Sequence, residues 1–341
     1  MLAVRLHARG DLRVENIERP AQPRSGEVTV RVTAAGICGS DLHNFKTGAW
    51  ISRSPSVAGH EFTGTISAAG DDVRHVRVGD RVIVDSRYLC GACNACREGR
   101  GQVCEKLGFI GEAIDGGFAE AVTLPARNVL KAPEHVPDRH LAMAEPLAVS
   151  LHALRRLGAP AGAPLVVTGC GPIGALVALL ASRSGHHVTL VDRNERRSAR
   201  VAGLVAGRVL KMDELAFGSF RHAVETTGHE QVITTLVERI AGCGTIALIG
   251  IGRSTPVIDP VRLVEREITL AGCHAFGPEL QEAGELLRSL SSQLDAFIAE
   301  QIPLRAVPEA YGRHIAGEVD GLKTIILCRE PWHGGRDFPE E

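Results

Sequence analysis

Four cysteines lie within the fifteen-residue stretch CGACNACREGRGQVC with the spacing C-x2-C-x2-C-x7-C: Cys90, Cys93, Cys96 and Cys104. Glycines between them give the backbone freedom to wrap around one point. Four thiolates can then meet tetrahedrally at a single ion, as structural zinc requires. The spacing therefore predicts a structural zinc site.

Other interpretations of the cysteine cluster stay open on spacing alone. Iron–sulfur ligation also uses four cysteines, and the tight C-x2-C-x2-C run is similar to that of cluster proteins. A redox pair built on one C-x-x-C would leave two cysteines without a role. Four unrelated buried cysteines are the last alternative. The spacing favours zinc, and the choice among these interpretations depends on the other motifs of the chain.

A second group of metal-ligand residue types lies in the segments GICGSDLH, AGHEFTG and MAEPLAVSLHA. Each segment follows or ends a strand-like stretch, so these side chains could project into one cleft. Cys38, His60 and one of the carboxylates Glu61 and Glu145 are ligand types for a catalytic zinc with an open position. Any one of them alone is more often a core residue. Together they predict a second metal site.

A glycine-rich loop joins a short buried strand to an apolar helix and has the pattern G-x-G-x-x-G: Gly169, Cys170, Gly171, Pro172, Ile173 and Gly174. In such loops the first glycine makes the turn, the second lets backbone N–H groups approach a pyrophosphate, and the third lets helix pack on strand. The helix N-terminus favours the phosphate charge. The context predicts a dinucleotide site, with a turn that binds no ligand as the alternative.

The next strand, HVTLVD, ends in Asp192, 18 positions beyond Gly174. A carboxylate there can accept hydrogen bonds from both ribose hydroxyls, whereas it would repel a 2′-phosphate. Arg193 and Arg197 weaken this inference, because either could turn towards a 2′-phosphate. NAD is therefore favoured over NADP.

The composition excludes several classes of partner. The formal net charge is −2 and charges of both signs are interleaved, so neither nucleic acid nor a membrane surface is expected as a partner. The N-terminal segment alternates apolar and charged residues like a strand pair and does not resemble a signal peptide. We expect a soluble, cytoplasmic protein with reduced thiols, in which a disulfide framework is a poor account of the cysteine cluster.

The 341 residues predict two domains. Up to about residue 145, short β-branched runs separated by Gly, Pro and Asp indicate a mainly β domain. From Leu165 to about Ala271, strands alternate with apolar helices, which predicts the α/β class and a doubly wound parallel sheet. The expected boundaries are 1–148, with a zinc lobe at about 88–106, then 149–276, and a return to the first domain over 277–341.

The segments GHEFTG, CGACNAC, DGGFAEAV and GCGPIG resemble the zinc-dependent medium-chain dehydrogenase family, within the alcohol dehydrogenase superfamily. The resemblance covers essentially the whole chain. It implies a GroES-like catalytic domain, a Rossmann domain that binds NAD, and two zinc ions per chain, one of them held by the four clustered cysteines. It also implies a homodimer or homotetramer, because the last Rossmann strand often pairs across a dimer axis in this family.

The resemblance also assigns ligands to the catalytic zinc. Cys38 and His60 match two of them, and Glu61 matches a glutamate that ligates zinc in the polyol branch. Glu145 matches a second glutamate, which binds the metal or its water. The resemblance implies that the two glutamates exchange during turnover.

The segment that follows Gly39 contains three further residues that match functional positions of the family. Ser40 matches the hydroxyl that takes the substrate proton, and His43 matches the histidine that relays it towards solvent. Asp41 matches the carboxylate that orients a histidine ligand. The implied activity is reversible oxidation of a secondary hydroxyl in a small polyol, vicinal diol or sugar acid. A threonine 3-dehydrogenase-like activity and a catalytically retired NAD-binding protein are the alternatives.

The chain departs from the family pattern at two places. Sorbitol-type enzymes have an Arg-Tyr or Arg-Phe pair where this chain has Ala275 and Phe276, which puts a polyol clamp there in doubt and leaves His274 as a substitute donor. The third and fourth Rossmann strands are too close in sequence for a further helix, so one sheet edge is expected to be trimmed. The remaining cysteines are predicted to be small buried residues: Cys170, Cys243, Cys273 and Cys328.

Overall fold

A computed structural model describes residues 1–252, 255–319 and 321–328. The part up to residue 131 is mainly β, as predicted. Its strands are β1 (Leu2–Ala8), β2 (Asp11–Asn16), β3 (Glu27–Gly36), β4 (Ser56–Val57), β5 (Glu61–Ala69), β6 (Arg81–Val84), β7 (Arg87–Tyr88), β8 (Gly108–Phe109), β9 (Ala121–Pro125) and β10 (Val129–Lys131). Two helices interrupt them, α1 (Gly39–Thr47) and α2 (Asn94–Arg97).

Two helices, α3 (Asp138–Leu141) and α4 (Ala144–Leu157), lead out of the β region. Strands and helices then alternate through β11 (Pro164–Thr168), α5 (Pro172–Arg183), β12 (His187–Val191), α6 (Glu195–Val205), β13 (Arg208–Val209), β14 (His222–Glu225), α7 (Glu230–Arg239), β15 (Thr245–Leu248), α8 (Pro260–Glu265) and β16 (Thr269–Gly272). The chain continues with α9 (Glu279–Leu294), β17 (Ile298–Pro303), α10 (Val307–Ala316) and β18 (Lys323–Leu327).

The alternating segment forms a parallel sheet with the strand order β13-β12-β11-β14-β15-β16. The order reverses between β11 and β14, and in open α/β sheets ligands bind in the crevice at the carboxyl ends of the strands at such a point. This confirms the predicted α/β class with a doubly wound sheet. Between β13 and β14 the chain forms only a short 3-10 turn at Met212–Glu214, which gives the trimmed edge expected from the sequence.

The larger sheet of the β region has the order β10-β6-β5-β3-β18-β17, and β9 also pairs with β3. Strands β17 and β18 belong to the C-terminal segment, so the chain after the parallel sheet completes the sheet that the N-terminal segment began. Helix α4 packs against α5 and α9, and its buried apolar residues belong to one core with theirs. Among the described residues no helix is both long enough and apolar enough to cross a membrane.

The long antiparallel pairing of β3 with β5 positions the candidate site. It runs from Val28 opposite Ala69 to Gly36 opposite Glu61 and contains two β-bulges. Since Cys38 follows the end of β3 and His60 precedes β5, both side chains emerge at the same end of this strand pair. Residues distant in sequence are thereby brought together by backbone hydrogen bonds.

The isolated cysteines are not all buried as predicted. Cys170 and Cys328 are buried, and Cys273 is half-buried. The prediction is wrong for Cys243, which is exposed. Cys243 lies in the turn before β15 with a φ of 56°, and its Sγ is 3.2 Å from Oε2 of Glu267. A surface turn rather than a core position explains its exposure.

Replacing Gly64 of β5 by alanine should destabilise the fold, because its Cβ would collide with the carbonyl oxygen of Arg31 on β3. We expect the free energy of unfolding to fall by about 1–3 kcal/mol, measured by urea denaturation. Gly203→Ala, on an open face of α6 with no heavy atom within 4 Å of the new Cβ, should instead raise it by about 0.5–1 kcal/mol. An unchanged free energy of unfolding for Gly64→Ala would contradict the close contact between Gly64 and the carbonyl of Arg31.

Candidate active site

The structure brings three potential metal ligands together at the end of the β3–β5 pair. One ligand atom each of Cys38, His60 and Glu61 lies within 4.8 Å of the others. Glu145 is not part of this group. A thiolate, an imidazole and a carboxylate are zinc ligands, and three protein ligands leave a position open, as in catalytic zinc sites.

Hydrogen bonds orient these groups. Nδ1 of His60 is 3.3 Å from Oδ1 of Asp41, so its Nε2 faces the ligand group. The Ser40 hydroxyl is 3.1 Å from the Cys38 sulfur and 3.4 Å from Nε2 of His60. Asp41 also accepts a hydrogen bond from the backbone N–H of Cys38, at 2.9 Å. Asp41 thus links both ligands through one carboxylate, in the position expected of an orienting group.

The electrostatic environment of His60 favours its protonation. Burial by itself lowers the pKa of His60, but the carboxylate of Asp41 and the sulfur of Cys38 outweigh burial and raise the pKa well above its usual value. Because a metal ion needs the unprotonated nitrogen, proton and metal compete for the same atom.

Glu61 forms a buried ion pair that the sequence analysis missed. Its carboxylate contacts the ammonium of Lys323 in β18, and both side chains are almost fully buried. Lys323 also donates to the carbonyl of Ile37 at 2.9 Å. A Cβ on Gly36 would collide with this carboxylate, so the glycine makes room for the pair. Oε1 of Glu61 is buried and accepts no hydrogen bond from the described residues, which leaves an acceptor for a metal.

Glu145 lies in the first turn of α4, buried, and accepts a hydrogen bond from the Ser86 hydroxyl at 2.9 Å. Burial raises its pKa to about 7; the charge of His60 lowers it and that of Glu61 raises it. Glu145 can therefore hold or release a proton near neutral pH. Nothing in the sequence around Ser86 indicated that its hydroxyl would bind Glu145.

A further carboxyl, Glu112, was also missed. It lines a small cavity together with Asp41, His60 and Tyr311. Burial raises the pKa of Glu112 to about 7. Glu112 is one of two acidic residues in the apolar and glycine-rich run FIGEAIDGG, and the sequence analysis singled out neither.

His43 lies three residues after Ser40 on α1, so the two side chains share one face of the helix. The imidazole packs against the indole of Trp50, with the ring centroids 4.8 Å apart. The backbone N–H of Trp50 donates to Oδ1 of Asn44 at 2.9 Å, which fixes the segment that carries the indole.

The glycine-rich loop has the geometry that its sequence predicts. Gly169 has a φ of +87°, which favours glycine, and α5 begins at Pro172 with Ile173 partly buried against the core. A Cβ on Gly174 would collide with the carbonyl oxygen of Gly169, so this glycine is required for the helix to approach the strand. A Cβ on Gly171 would meet only the Arg197 guanidinium, at 3.9 Å, which leaves the outer side of the loop accessible.

Asp192 closes the glycine-rich loop. Its carboxylate accepts hydrogen bonds from the N–H groups of Cys170, at 2.6 Å, and Asn194, at 2.7 Å. Nε of Arg197 lies 4.0 Å from the same carboxylate, whereas Arg193 is exposed. Arg197 thus lies beside the carboxylate, and Arg193 follows Asp192 in the sequence.

The four clustered cysteines are unpaired thiols that converge on one point. The sulfur–sulfur distances are 3.5 Å for Cys90–Cys104, 3.9 Å for Cys93–Cys104 and 4.0 Å for Cys90–Cys96. A tetrahedral zinc with bonds of 2.3 Å would give about 3.8 Å, so the cluster fits a zinc ion.

Backbone N–H groups assist the cysteine cluster. Those of Ala92 and Cys93 lower the pKa of Cys90 to about 6. Burial and neighbouring thiols raise that of Cys96 to about 12. Some of these thiols therefore stay protonated until a cation binds, and metal binding has to release protons.

The segment after β16 contacts the cysteine lobe and Arg87. His274 donates from Nδ1 to the carbonyl of Gln102, 2.9 Å away in the cysteine lobe at about 88–106, and its ring is edge-to-face with that of Phe109 in β8. Phe276 is buried beneath the guanidinium of Arg87. His274 thus serves the contact with the lobe.

Two protein-family models match the β region and the parallel-sheet region separately. The model of the alcohol dehydrogenase GroES-like domain matches residues 24–134, and that of zinc-binding dehydrogenases matches residues 172–290. Sorbitol dehydrogenase of Bos taurus is 30% identical over 96% of each chain. L-threonine 3-dehydrogenase of Protochlamydia amoebophila is 30% identical over 76% of this chain and 80% of its own. The structure of 2R,3R-butanediol dehydrogenase from Bacillus subtilis is 27% identical, with a TM-score of 0.87 over 96% of this chain and 99% of its own.

The fold and the site define a dehydrogenase built from a β domain with metal-ligand clusters and a dinucleotide-type parallel sheet. The chain belongs to the zinc-dependent medium-chain dehydrogenase family of the alcohol dehydrogenase superfamily. This confirms the resemblance inferred from the sequence.

Replacing Cys93 by serine should remove one zinc ion per chain, because a hydroxyl is a poor substitute for the fourth thiolate. We expect the zinc content, measured by atomic emission, to fall by one ion per chain and the melting temperature to fall with it. Cys273→Ser, at a half-buried cysteine outside the cluster, should keep the full zinc content. Equal zinc contents in the two variants would exclude the cluster as a metal site.

The free energy of unfolding should depend on pH through Glu112. The native state holds this proton up to about pH 7, whereas an unfolded chain releases it near its ordinary pKa. The native state therefore binds more protons between these values, and stability falls as the pH rises through them, by up to about 3 kcal/mol. Glu112→Gln should lack this loss when urea unfolding is compared at about pH 5 and about pH 8.

The exposed Glu134, 87% accessible, provides the control. Glu134→Gln should show the same pH dependence of the free energy of unfolding as the unmodified protein. An unchanged pH dependence in Glu112→Gln as well would mean that Glu112 is ionised throughout.

Proposed function

We propose that the protein is an NAD-dependent zinc dehydrogenase that oxidises a secondary hydroxyl of a small polyol, vicinal diol or sugar acid to a ketone, reversibly. The observation that carries the proposal is the convergence of Cys38, His60 and Glu61 within 4.8 Å, with the Ser40 hydroxyl beside two of them. Family membership and the named activities of the sorbitol and butanediol relatives support the class of substrate.

Cys38, His60 and Glu61, with Glu145 beside them, would hold the catalytic zinc, and the four clustered cysteines would hold the structural zinc. When bound, the catalytic ion supplies the Lewis acidity that makes a secondary hydroxyl acidic enough to lose its proton near neutral pH. The protein side chains have to keep that ion in place, orient the hydroxyl and carry away one proton per turnover.

In this proposal Ser40 accepts the substrate proton at its Oγ and releases its own hydroxyl proton in the same step. Its position within 3.4 Å of a ligand nitrogen and 3.1 Å of a ligand sulfur supports this role. His43, on the same face of α1, passes the proton towards solvent. Asp41 keeps the His60 ring in the orientation in which Nε2 is the free ligand atom.

NAD is the proposed hydride acceptor. The open outer side of the loop formed by Gly169, Gly171 and Gly174 supports pyrophosphate binding, helped by Pro172 and Ile173 at the start of α5. The carboxylate of Asp192 would meet the ribose hydroxyls and disfavour a 2′-phosphate. Arg193 and Arg197 are the side chains through which NADP could still bind.

Two structural assignments belong to the same proposal. The catalytic domain comprises 1–148 and 277–341, and the NAD-binding domain comprises 149–276; residues 253–254, 320 and 329–341 of these ranges lie outside the described residues. The joining of β17 and β18 to the sheet of β3 supports this division. A homodimer or homotetramer is proposed through β16, because this edge strand has a partner on one side only within the described part of the chain.

A substrate screen tests the proposed activity. Protein with a measured zinc content is assayed for nicotinamide reduction with butanediols, pentitols, hexitols, sugar acids and threonine, with NAD and NADP in parallel. A rate on a polyol, diol or sugar acid that chelation abolishes supports the proposal. Threonine as the preferred substrate would assign the chain to the branch of its threonine dehydrogenase relative.

Two variants separate the metal from the proton path. Cys38→Ser should lose the catalytic zinc and all measurable turnover. Ser40→Ala should keep both zinc ions and lower kcat by about 100-fold, the usual contribution of a positioned proton acceptor. The measurements are zinc content and steady-state rate on the same samples. Full turnover in Cys38→Ser would exclude the proposed zinc mechanism.

A further inference from the structure

Glu225 is a fully buried carboxylate outside the metal-ligand group. It is the last residue of β14, which lies beside β11 in the middle of the parallel sheet. Among the described residues no lysine, arginine or histidine forms an ion pair with it. An isolated buried carboxylate is costly unless several hydrogen-bond donors surround it.

The donors around Glu225 all come from the turn that follows it. Oε1 accepts from the N–H of Thr227 at 2.7 Å and from the Thr227 hydroxyl. Oε2 accepts from the N–H of Gly228 at 3.0 Å. Charge-assisted bonds of this kind are stronger than neutral ones. The carboxylate therefore holds residues 226–228 in one conformation.

This turn contacts the glycine-rich loop on one side. The Thr226 hydroxyl donates to the carbonyl of Thr168 at 2.9 Å and lies 3.2 Å from that of Gly169. The backbone N–H of Thr226 also donates to Thr168, at 3.0 Å. The same hydroxyl would lie 3.1 Å from a Cβ on Gly174. Two of the three loop glycines therefore pack against Thr226.

The turn contacts the loop after β15 on the other side. The N–H groups of Ile249 and Gly250 donate to the backbone carbonyl of Glu225, at 2.9 and 3.1 Å. The backbones of Gly228, Gly250 and Gly252 are so close that a Cβ on any of these three glycines would collide with the facing chain. No side chain fits between the turn 226–228 and the loop 249–252, so the distance between them depends on the backbone conformation of the turn.

We propose that Glu225 is a positioning residue for dinucleotide binding: by fixing the turn 226–228, it sets the separation of the glycine-rich loop from the loop 249–252. Both loops lie at the carboxyl ends of strands around the point where the strand order reverses, which is the ligand crevice of such sheets. The inference rests on the proposed NAD-dependent function. Glu225 acts through the turn and does not touch the cofactor.

Glu225→Gln tests the proposal, because it keeps the volume and puts an amide NH2 where an N–H group now donates. The dissociation constant for NADH should rise about tenfold, the size expected when one buried donor loses its acceptor. The KM for NAD should rise equally, whereas kcat at saturating NAD and the zinc content should stay unchanged. NADH binding is measured by calorimetry.

Two further variants keep the test decisive if Glu225→Gln folds poorly. Thr226→Val removes only the hydroxyl that contacts Gly169 and should weaken NADH binding several-fold. Glu279→Gln changes a comparably buried carboxylate, which pairs with His152 and forms no hydrogen bond or ion pair with either loop among the described residues, and should leave NADH binding unchanged. The proposal is overturned if Glu225→Gln and Thr226→Val bind NADH like the unmodified protein, or if Glu279→Gln weakens binding as much.

Hydrogen exchange of the nucleotide-free protein separates this inference from the proposed function. Amides of 169–174 and 249–252 should exchange faster in Glu225→Gln, with other regions unaffected. Faster exchange together with no NADH binding by the unmodified protein would support the positioning role and reject the NAD-dependent function. Unchanged exchange in both loops would reject the positioning role.

Discussion

Buried negative charge around His60 is the constraint on which the candidate site depends. The carboxylate of Asp41 and the sulfur of Cys38 act on it directly, and the carboxyl groups of Glu61, Glu112 and Glu145 lie nearby. Neighbouring negative groups raise the pKa values of His60 and Lys323 although burial lowers them, whereas burial is the main cause of the raised pKa of Glu145. The site therefore attracts positive charge beyond that of Lys323. A divalent cation supplies such charge in a compact form, which explains why these residue types suit a metal centre.

The backbone geometry that permits this concentration of charge comes from close approach of strands. The pairing of Gly36 with Glu61 sets the distance between Cys38 and His60, and the missing side chain of Gly36 leaves space for the Glu61–Lys323 pair. The dinucleotide crevice follows the same rule, because Gly174 and Gly228 allow contacts that any Cβ would block. In both the metal-ligand group and the dinucleotide crevice, the geometry depends on backbone segments that pack directly against their neighbours because a glycine leaves room.

Much of the molecule was predictable because its patterns are local. The alternation of strands and helices, the glycine loop with its acid, and the spacing of the four cysteines each reflect one short segment, and the fold class and family are confirmed. The partners that were missed are isolated residues with no local pattern. Lys323 is one charged residue in the apolar strand KTIIL, and Ser86 and Glu112 lie in irregular segments.

The sequence by itself determined the fold class and the residue types that could bind metal and dinucleotide, since periodicity and motif spacing encode these directly. It indicated the family through the resemblance of four short segments. Only the tertiary structure decided which groups share a buried environment. It paired Glu61 with Lys323, placed Glu145 beside Ser86 and turned His274 towards the cysteine lobe. Burial and pKa depend on neighbours contributed by distant strands, and no local pattern specifies those neighbours.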